Sequence, residues 1–409
     1  MQPNNRTDPR PIQPAERIKE IDIIRGLALF GILMVNMSFF KYPIFFERYP
    51  SNFPAGLEQF SAIIIQFVFT GKFYAIFSFL FGLGFYIFME RTLSKGFELV
   101  PLYRRRLFAL LLFGAVHLVI LWTGDILFTY ALVGFLLLKF RDKSREAIGK
   151  WIIGLFITTL TLYSLFGLIN GYGEYSAGDS YQAIMSMMIN GAIDVYTGGS
   201  FGQLILFRVF NELPYVIISM VVWIPAVLAF FLCGLYAGKT GIFKDIGKNI
   251  PLLTKIRNRG LAIGAVLMLI YGLIDAGFIP VGLIVRPALL SAANYTASIF
   301  LFPAYISLVL IALQSEFWKK ILSPVAAAGR MALTNYLAQT LICMIIFYGC
   351  GFGFFGQVTL AQGVLITIAI YLAQVIWSNI WYKKFRYGPM EWIWRTMTYK
   401  NRQPLRNRD

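Results

Sequence analysis

His117 is the only histidine in the chain, and it sits inside an apolar run. The run reads Arg104-Arg105-Arg106-Leu-Phe-Ala-Leu-Leu-Leu-Phe-Gly-Ala-Val-His117-Leu-Val-Ile-Leu-Trp122-Thr-Gly124-Asp125. Wound as a helix at about 1.5 Å per residue, it sets His117 roughly 20 Å from the arginines. Loss of water disfavours the imidazolium, so a histidine at that depth is expected to be neutral and able to accept a proton. Ionisable side chains inside a membrane segment lean towards function. The bland alternative is a histidine that hydrogen-bonds a neighbouring helix for packing. Asp125 follows a Thr-Gly turn and opens the next apolar run. It can orient His117 as a carboxylate partner if the turn folds back, and it can cap the following helix. The two roles are compatible.

Other polar groups stand where water is scarce. Asp22 and Arg25 flank the start of the first apolar run, and Asn36 lies deeper in it. Asp22 suits the positive end of a helix, while Arg25, one turn inside, snorkels or binds an anion. The Arg104, Arg105, Arg106 triplet reads most simply as a topology determinant or a lipid-headgroup contact. Its second reading is a grip on a phosphorylated ligand, which suits the guanidinium fork. Lys72 interrupts an apolar stretch beside Thr70-Gly71. Later, Ser323-Pro324 reads as a cap and first-turn proline, and Ala326, Ala327, Ala328, Gly329 and Ala332 permit close helix packing. Asn335 and Gln339 share a helix face. Asn36, Lys72, Asn335 and Gln339 form the expected substrate-facing set, with interhelical hydrogen bonding as the competing role. Asp275 and Arg286 are placed to pair, and Arg208 with Glu212 reads as ordinary helix electrostatics.

The elements that must position these groups follow from composition. The chain is 58% hydrophobic and 14% charged, more apolar surface than a soluble domain hides and what a bilayer solvates. Spans of about 20 apolar residues run roughly over 23–40, 63–89, 107–122, 126–138, 151–169, 215–237, 261–278, 295–313, 331–347 and 360–381. The expected fold is therefore an all-α polytopic transmembrane bundle of about ten net crossings. The excess of 37 Lys and Arg over 20 Asp and Glu collects in alternate connections. These include Arg91 to Arg106, Lys139 to Lys150 and Lys239 to Arg259. The tails, with Arg6, Arg10, Arg17 and Lys19 at the start, are basic too. Of the connections between, 41–59 is balanced, 123–125 is tiny, and 170–203 has Glu174, Asp179 and Asp194 but no Lys or Arg. That alternation follows the positive-inside rule, places both termini in the cytoplasm, and argues against nucleic-acid binding.

Two segments depart from the simple pattern. Residues 60–89 are too long for one crossing and carry Lys72 in the middle. A shallow or re-entrant helix over 59–69, followed by a true span from Phe73, avoids a mid-bilayer lysine. Residues 170–211 hold no run of spanning length, and interfacial helices are expected over 180–194 and 203–211 on the outer face. The organisation is then a tail over 1–22, a transmembrane domain over 23–382 and a basic tail over 383–409. The polar first 22 residues and the long run after them suggest an uncleaved anchor. Cys233, Cys343 and Cys350, scattered and odd in number, imply no disulfide framework. One histidine excludes a multi-histidine metal site within the chain, and no metal is expected.

Several segments together resemble the YeiB-like family of bacterial membrane proteins, whose defining region is labelled domain of unknown function 418. The first runs from Arg17 through Asp22, Arg25-Gly26 and Gly31 to Asn36. Others are Gly71-Lys72-Phe73 to Phe81-Gly82, His117 with Trp122-Thr-Gly124-Asp125, and Gly329-Arg330-Met-Ala-Leu-Thr-Asn335-Tyr336. The last is Gly388-Pro389-Met-Glu391-Trp392-Ile-Trp394-Arg395 with Thr398-Tyr399. The fold of that family resembles a wider superfamily of membrane acyltransferases, which move an acyl group from cytosolic acyl-CoA to a sugar or other acceptor on the far side. The resemblance implies His117 as base or acyl carrier, assisted by Asp125. It implies Arg104, Arg105 and Arg106, with Arg25, at the CoA phosphates. An extended pantetheine arm is on the order of 20 Å, about thirteen residues of helix rise. Asp125 lies eight residues after His117, not at the four-residue spacing of soluble acyltransferases.

The expected activity is therefore acyl transfer from acyl-CoA to a small-molecule or glycan acceptor at or beyond the outer face of a bacterial plasma membrane. Membrane lipids are the expected surroundings, and a homodimer is an open option. The rival expectation is a transporter or lipid-handling protein without covalent chemistry, with Lys72, Asp275, Arg286 and His117 along a pathway.

Overall fold

The computed structural model describes residues 17–44 and 50–407; Arg6 and Arg10 lie outside them. Among the described residues the architecture is all-α, with an isolated bridge between Phe385 and Arg406 in place of any strand. The helices are α1 (Lys19–Phe40), α2 (Leu57–Ile64), α3 (Lys72–Ser94), α4 (Leu99–Val116) and α5 (Leu127–Leu137). They continue with α6 (Arg145–Ala177), α7 (Asp179–Gly198), α8 (Phe201–Phe207), α9 (Leu213–Thr240), α10 (Ile250–Asp275) and α11 (Arg286–Ala312). The last five are α12 (Glu316–Leu322), α13 (Val325–Arg330), α14 (Ala332–Phe347), α15 (Leu360–Lys384) and α16 (Pro389–Tyr399).

Among the described residues, seven segments are long and apolar enough to cross a membrane: Lys19–Phe40, Leu57–Ser94, Arg145–Ala177, Phe201–Thr240, Ile250–Asp275, Arg286–Ala312 and Leu360–Lys384. Helix also occupies the three other expected spans, but there it is short or charged. The eleven residues of α5 rise only about 16 Å, α14 has 16 residues, and the apolar part of α4 begins after three arginines. The α6 helix exposes Trp151, Ile153, Ile157 and Leu165. A stripe of that kind is stable against lipid and costly against water. This is a membrane protein.

Helix ends sort into two groups. At the basic end, Lys239 Nζ donates to the Arg141 and Lys143 carbonyls (2.9 and 2.8 Å), Lys244 pairs with Glu90 (2.6 Å), and Trp394 Nε1 donates to the Arg106 carbonyl (2.8 Å). At the opposite end, here the histidine end, the Phe40 ring packs on Trp122 with centroids 4.0 Å apart, and Gly349 N donates to the Tyr196 carbonyl (2.8 Å).

Lipid does not reward burying one apolar helix against another, so close packing of small residues carries much of the cohesion. The α1–α13 contact shows this: a Cβ on Gly329 would collide with the Asp22 carbonyl oxygen and lie 2.7 Å from the Gly26 nitrogen. Pro324, expected to open one long helix, caps only α13. The helix breaks at Met331 and restarts as α14, because Glu391 on α16 accepts from the free amides of Leu333 (2.8 Å) and Thr334 (3.1 Å).

Both anomalous segments take a definite form. The break at Thr70-Gly71 is present, with Gly71 at φ +86°, a left-handed geometry suited to glycine. In the 170–211 region, α6 runs eight residues past Ile169 and α7 covers the first expected interfacial helix. The second is not a separate helix. A π-turn over Arg208–Glu212 joins α8 to α9 without a break, because the buried Arg208 and Glu212 are held by tertiary partners rather than left facing an interface.

Candidate active site and a facing arginine cluster

The α4 helix widens into a π-turn at His117–Leu121, closed by Trp122 N donating to the His117 carbonyl (2.7 Å). The wide turn ends the helix, and the chain reverses through Thr123-Gly124 to bring Asp125 back to His117. Asp125 Oδ1 lies 2.8 Å from His117 Nδ1, and Asp125 Oδ2 accepts from the Phe128 amide at 2.6 Å, at the start of α5. Orienter and cap are thus the same carboxylate. On the other side of the ring, His117 Nε2 lies 2.8 Å from Thr340 Oγ1 on α14.

These contacts set the direction of the protons. A carboxylate offers only lone pairs, so His117 Nδ1 donates to Asp125, and Nε2 is left as the acceptor for the Thr340 hydroxyl. His117 and Thr340 are fully buried and Asp125 nearly so. The Tyr336 ring lies against His117, with centroids 5.2 Å apart. Hydroxyl, imidazole and carboxylate in this order form the arrangement that activates a nucleophile. Thr340 is the member that sequence reasoning missed. It sits in an apolar stretch of α14, 223 residues from His117, and no local spacing marks it.

A second buried network shares the same reversal. Thr123 donates to Glu212 (2.5 Å), Tyr196 donates to the other Glu212 oxygen (2.8 Å), and Arg208 donates to Tyr196 Oη (3.2 Å) and to the Ile120 carbonyl (2.9 Å). Arg208 and Glu212 are therefore joined through Tyr196 in the interior, not by surface electrostatics along a helix. The network clamps the strap that carries Asp125.

At the basic end the arginines gather. Arg106 stacks on the Trp394 ring with its guanidinium carbon 3.7 Å from the centroid. Burial, then repulsion from Arg395 and Arg25, brings its pKa down to about 10, which leaves it charged at neutral pH. Burial also lowers Arg395, with Arg17 as the next cause. Arg330 lies over Tyr382 (3.8 Å), and burial lowers it, with Arg17 contributing repulsion. Against these five guanidiniums stands Asp22, 2.8 Å from Arg25 and 3.9 Å from Arg17. Arg17 Nε and Arg330 Nε are buried without partners. Buried guanidinium nitrogens without partners, packed beside like charges, have the chemistry to take up an anion. Of the sequence-expected set, Arg25 and Arg106 belong to it, Arg105 is half-buried and Arg104 is exposed. Arg17, Arg330 and Arg395 were not anticipated as members, although all three stand in the motifs that carry the family resemblance.

Comparison with known proteins decides the kinship. The chain is 35% identical to YxaH of Bacillus subtilis (strain 168), an uncharacterized protein, over 97% of this chain and 98% of that one. It belongs to the YeiB-like DUF418 family. The family profile, described as a protein of unknown function, matches residues 237–401. YeiB of Escherichia coli K12 is 28% identical over 95% of this chain and 98% of its own. A 39.9 kDa protein from the amylase 3′ region of Bacillus acidopullulyticus is 29% identical over 97% of each. The matched DUF418 region holds Thr340, Glu391, Arg330 and Arg395, while His117 and Arg106 lie before it.

The remaining expected residues of this DUF418 protein fall into three places. Asn335 donates to the Ala328 carbonyl and Ser378, Gln339 donates to Gln374, and Gln374 donates back to the Asn335 carbonyl. These bonds tie α14 to α15 and hold Thr340 in register. Lys72 is fully buried on the α10–α11 side, donating to Asn294 (2.9 Å), the Gln66 carbonyl (3.1 Å) and Met268 Sδ (3.5 Å). Asp275 and Arg286 pair as expected, at 3.1 Å. Asn36 is half-buried on α1, one turn before Phe40. The hydrogen bonds of Lys72 and Asp275 do not reach the His117 network.

Proposed function

We propose that this protein is a membrane acyltransferase that takes an acyl group from acyl-CoA at the basic end. It delivers that group to a small-molecule or glycan acceptor at the histidine end. The observation that carries the reading is the buried Asp125–His117–Thr340 chain, whose histidine ends the helix that carries Arg106, about 16 Å further along it. In this reading the basic end faces the cytoplasm of a bacterial plasma membrane, with both termini there, on the distribution of Lys and Arg. Arg25, Arg106 and Arg395 hold the CoA phosphates, and Arg104 and Arg105 receive them at the rim. The pantetheine arm extends along α4 towards His117. The resemblance that the sequence motifs imply favours the same class.

His117 Nε2 takes the proton of the attacking group as that group bonds to the thioester carbonyl. The carbon–sulfur bond then breaks, and the proton passes from Nε2 to the departing thiolate. Asp125 holds the ring in the productive tautomer and stabilises the imidazolium between these steps.

The test is acyl-CoA cleavage or transfer by the purified protein over a series of chain lengths, beside H117A. Turnover that needs His117 supports the proposal. Equal rates in both proteins remove His117 from the mechanism, and absence of CoA binding ends the reading. A transporter without covalent chemistry is the second reading, favoured by Lys72, whose three hydrogen-bond acceptors are all neutral. Under it, H117Q keeps ligand binding and loses pH-dependent transport.

A further inference from the structure

We infer that Thr340 is the first acceptor of the acyl group, forming an acyl-threonine ester before the final transfer. This rests on the acyltransferase reading and adds a covalent step to it.

Three observations point to the hydroxyl. First, a buried threonine in a helix ordinarily returns its hydroxyl proton to a carbonyl of the preceding turn. Thr92, Thr159, Thr367 and Thr398 do so here, each to the residue four before it. Thr340 instead reaches across to another helix and gives its proton to His117. Second, the other ring nitrogen is committed: His117 Nδ1 is held by Asp125 Oδ1, and Asp125 is itself anchored by the Phe128 amide on Oδ2. The imidazole therefore presents its one basic nitrogen to Thr340 and to no other group. Third, the stretch of α14 that leads into Thr340 is fixed. Glu391 caps its first turn, and Asn335 and Gln339 bind α15. The hydroxyl is held on a rigid element, as a nucleophile must be.

The step balances. The Thr340 oxygen bonds to the thioester carbonyl carbon, and its proton moves to His117 Nε2. The tetrahedral intermediate collapses, the carbon–sulfur bond breaks, and the thiolate leaves with that proton as free CoA thiol. Thr340 now carries the acyl group as an ester. An acceptor hydroxyl or amine then gives its proton to Nε2, attacks the ester, and the proton returns to the Thr340 oxygen. Complete burial of Thr340 and His117 keeps water from the ester in the interval. It also requires α14 to part from α4 to admit the thioester.

The experiment uses the full chain in detergent or nanodiscs, given acetyl-CoA without an acceptor, quenched in acid and mapped by mass spectrometry. The expected result is one added acetyl group on the peptide containing Thr340. It should persist in T340S and be absent from T340V and H117A, with CoA release in T340V falling at least about a thousand-fold. T340S, which keeps the hydroxyl, controls for folding, and the position of the adduct in the unaltered protein needs no variant. An acetyl group found on His117, or T340V retaining more than a tenth of the unaltered rate, overturns the inference and leaves the acyltransferase reading standing. No thioester cleavage by the unaltered protein with any acyl-CoA ends both.

Discussion

Asp125 does two jobs with two oxygens, and replacing it in two ways separates them. In Asp125→Ala the Phe128 amide loses its cap and His117 Nδ1–H loses its acceptor. A missing helix cap costs about 1 kcal/mol, and a buried donor left without a partner costs about 1–3 kcal/mol, so a loss of roughly 2–4 kcal/mol is expected. In Asp125→Asn the side chain has one carbonyl oxygen and one amide nitrogen. The oxygen stays on the Phe128 amide, so the nitrogen faces His117 Nδ1. The ring must then carry its proton on Nε2 and can no longer accept from Thr340. Stability should fall by only about 1 kcal/mol, while turnover should fall by about 10⁴, the size of loss that a wrong histidine tautomer produces in a triad enzyme. The assay pairs reversible unfolding in mixed micelles with CoA release. Near-full activity in Asp125→Asn would refute the proton direction derived above, and equal stability of the two variants would refute the capping role.

Other consequences can be checked separately. Pyrophosphate or CoA at a hundred times its dissociation constant should stabilise the protein by about 2.7 kcal/mol, and the effect should vanish in R106A/R395A; a shift that survives both changes places the anion elsewhere. Gly329→Val puts a branched side chain where even a Cβ collides with the Asp22 carbonyl. It should therefore separate α13 from α1 and cost about 3 kcal/mol or more in thermal or micellar unfolding. Burial raises the Glu391 carboxyl above its ordinary 4.5, against the lowering by Thr334 and the Leu333 and Thr334 amides. The docked α16 thus binds a proton that the undocked segment gives up first, and docking weakens as pH rises from 4.5 through the raised value. Protease protection of residues 389–407 should be greater at pH 5 than at pH 8, and flat with pH in E391Q.

The all-α membrane class was legible from the chain alone, because the period and length of apolar runs are local properties that lipid reads directly. So were the break before Lys72, the Asp275–Arg286 pair, and the prominence of His117 as a lone ionisable group in an apolar run. Spacing argued less well where backbone geometry departs from the regular helix. The π-turns at His117 and Arg208 changed which residues face each other, which is how Asp125 reached the imidazole from eight positions away and how Arg208 came to meet Glu212 only through Tyr196. The arginine cluster draws on α1, α4, α13 and α16 and the chain just before α1, of which Arg104, Arg105 and Arg106 are the only contiguous signal. Thr340 carried no mark in the sequence at all. A hydroxyl acquires its role from the nitrogen across from it, and only the packing of α14 on α4 put that nitrogen within 2.8 Å.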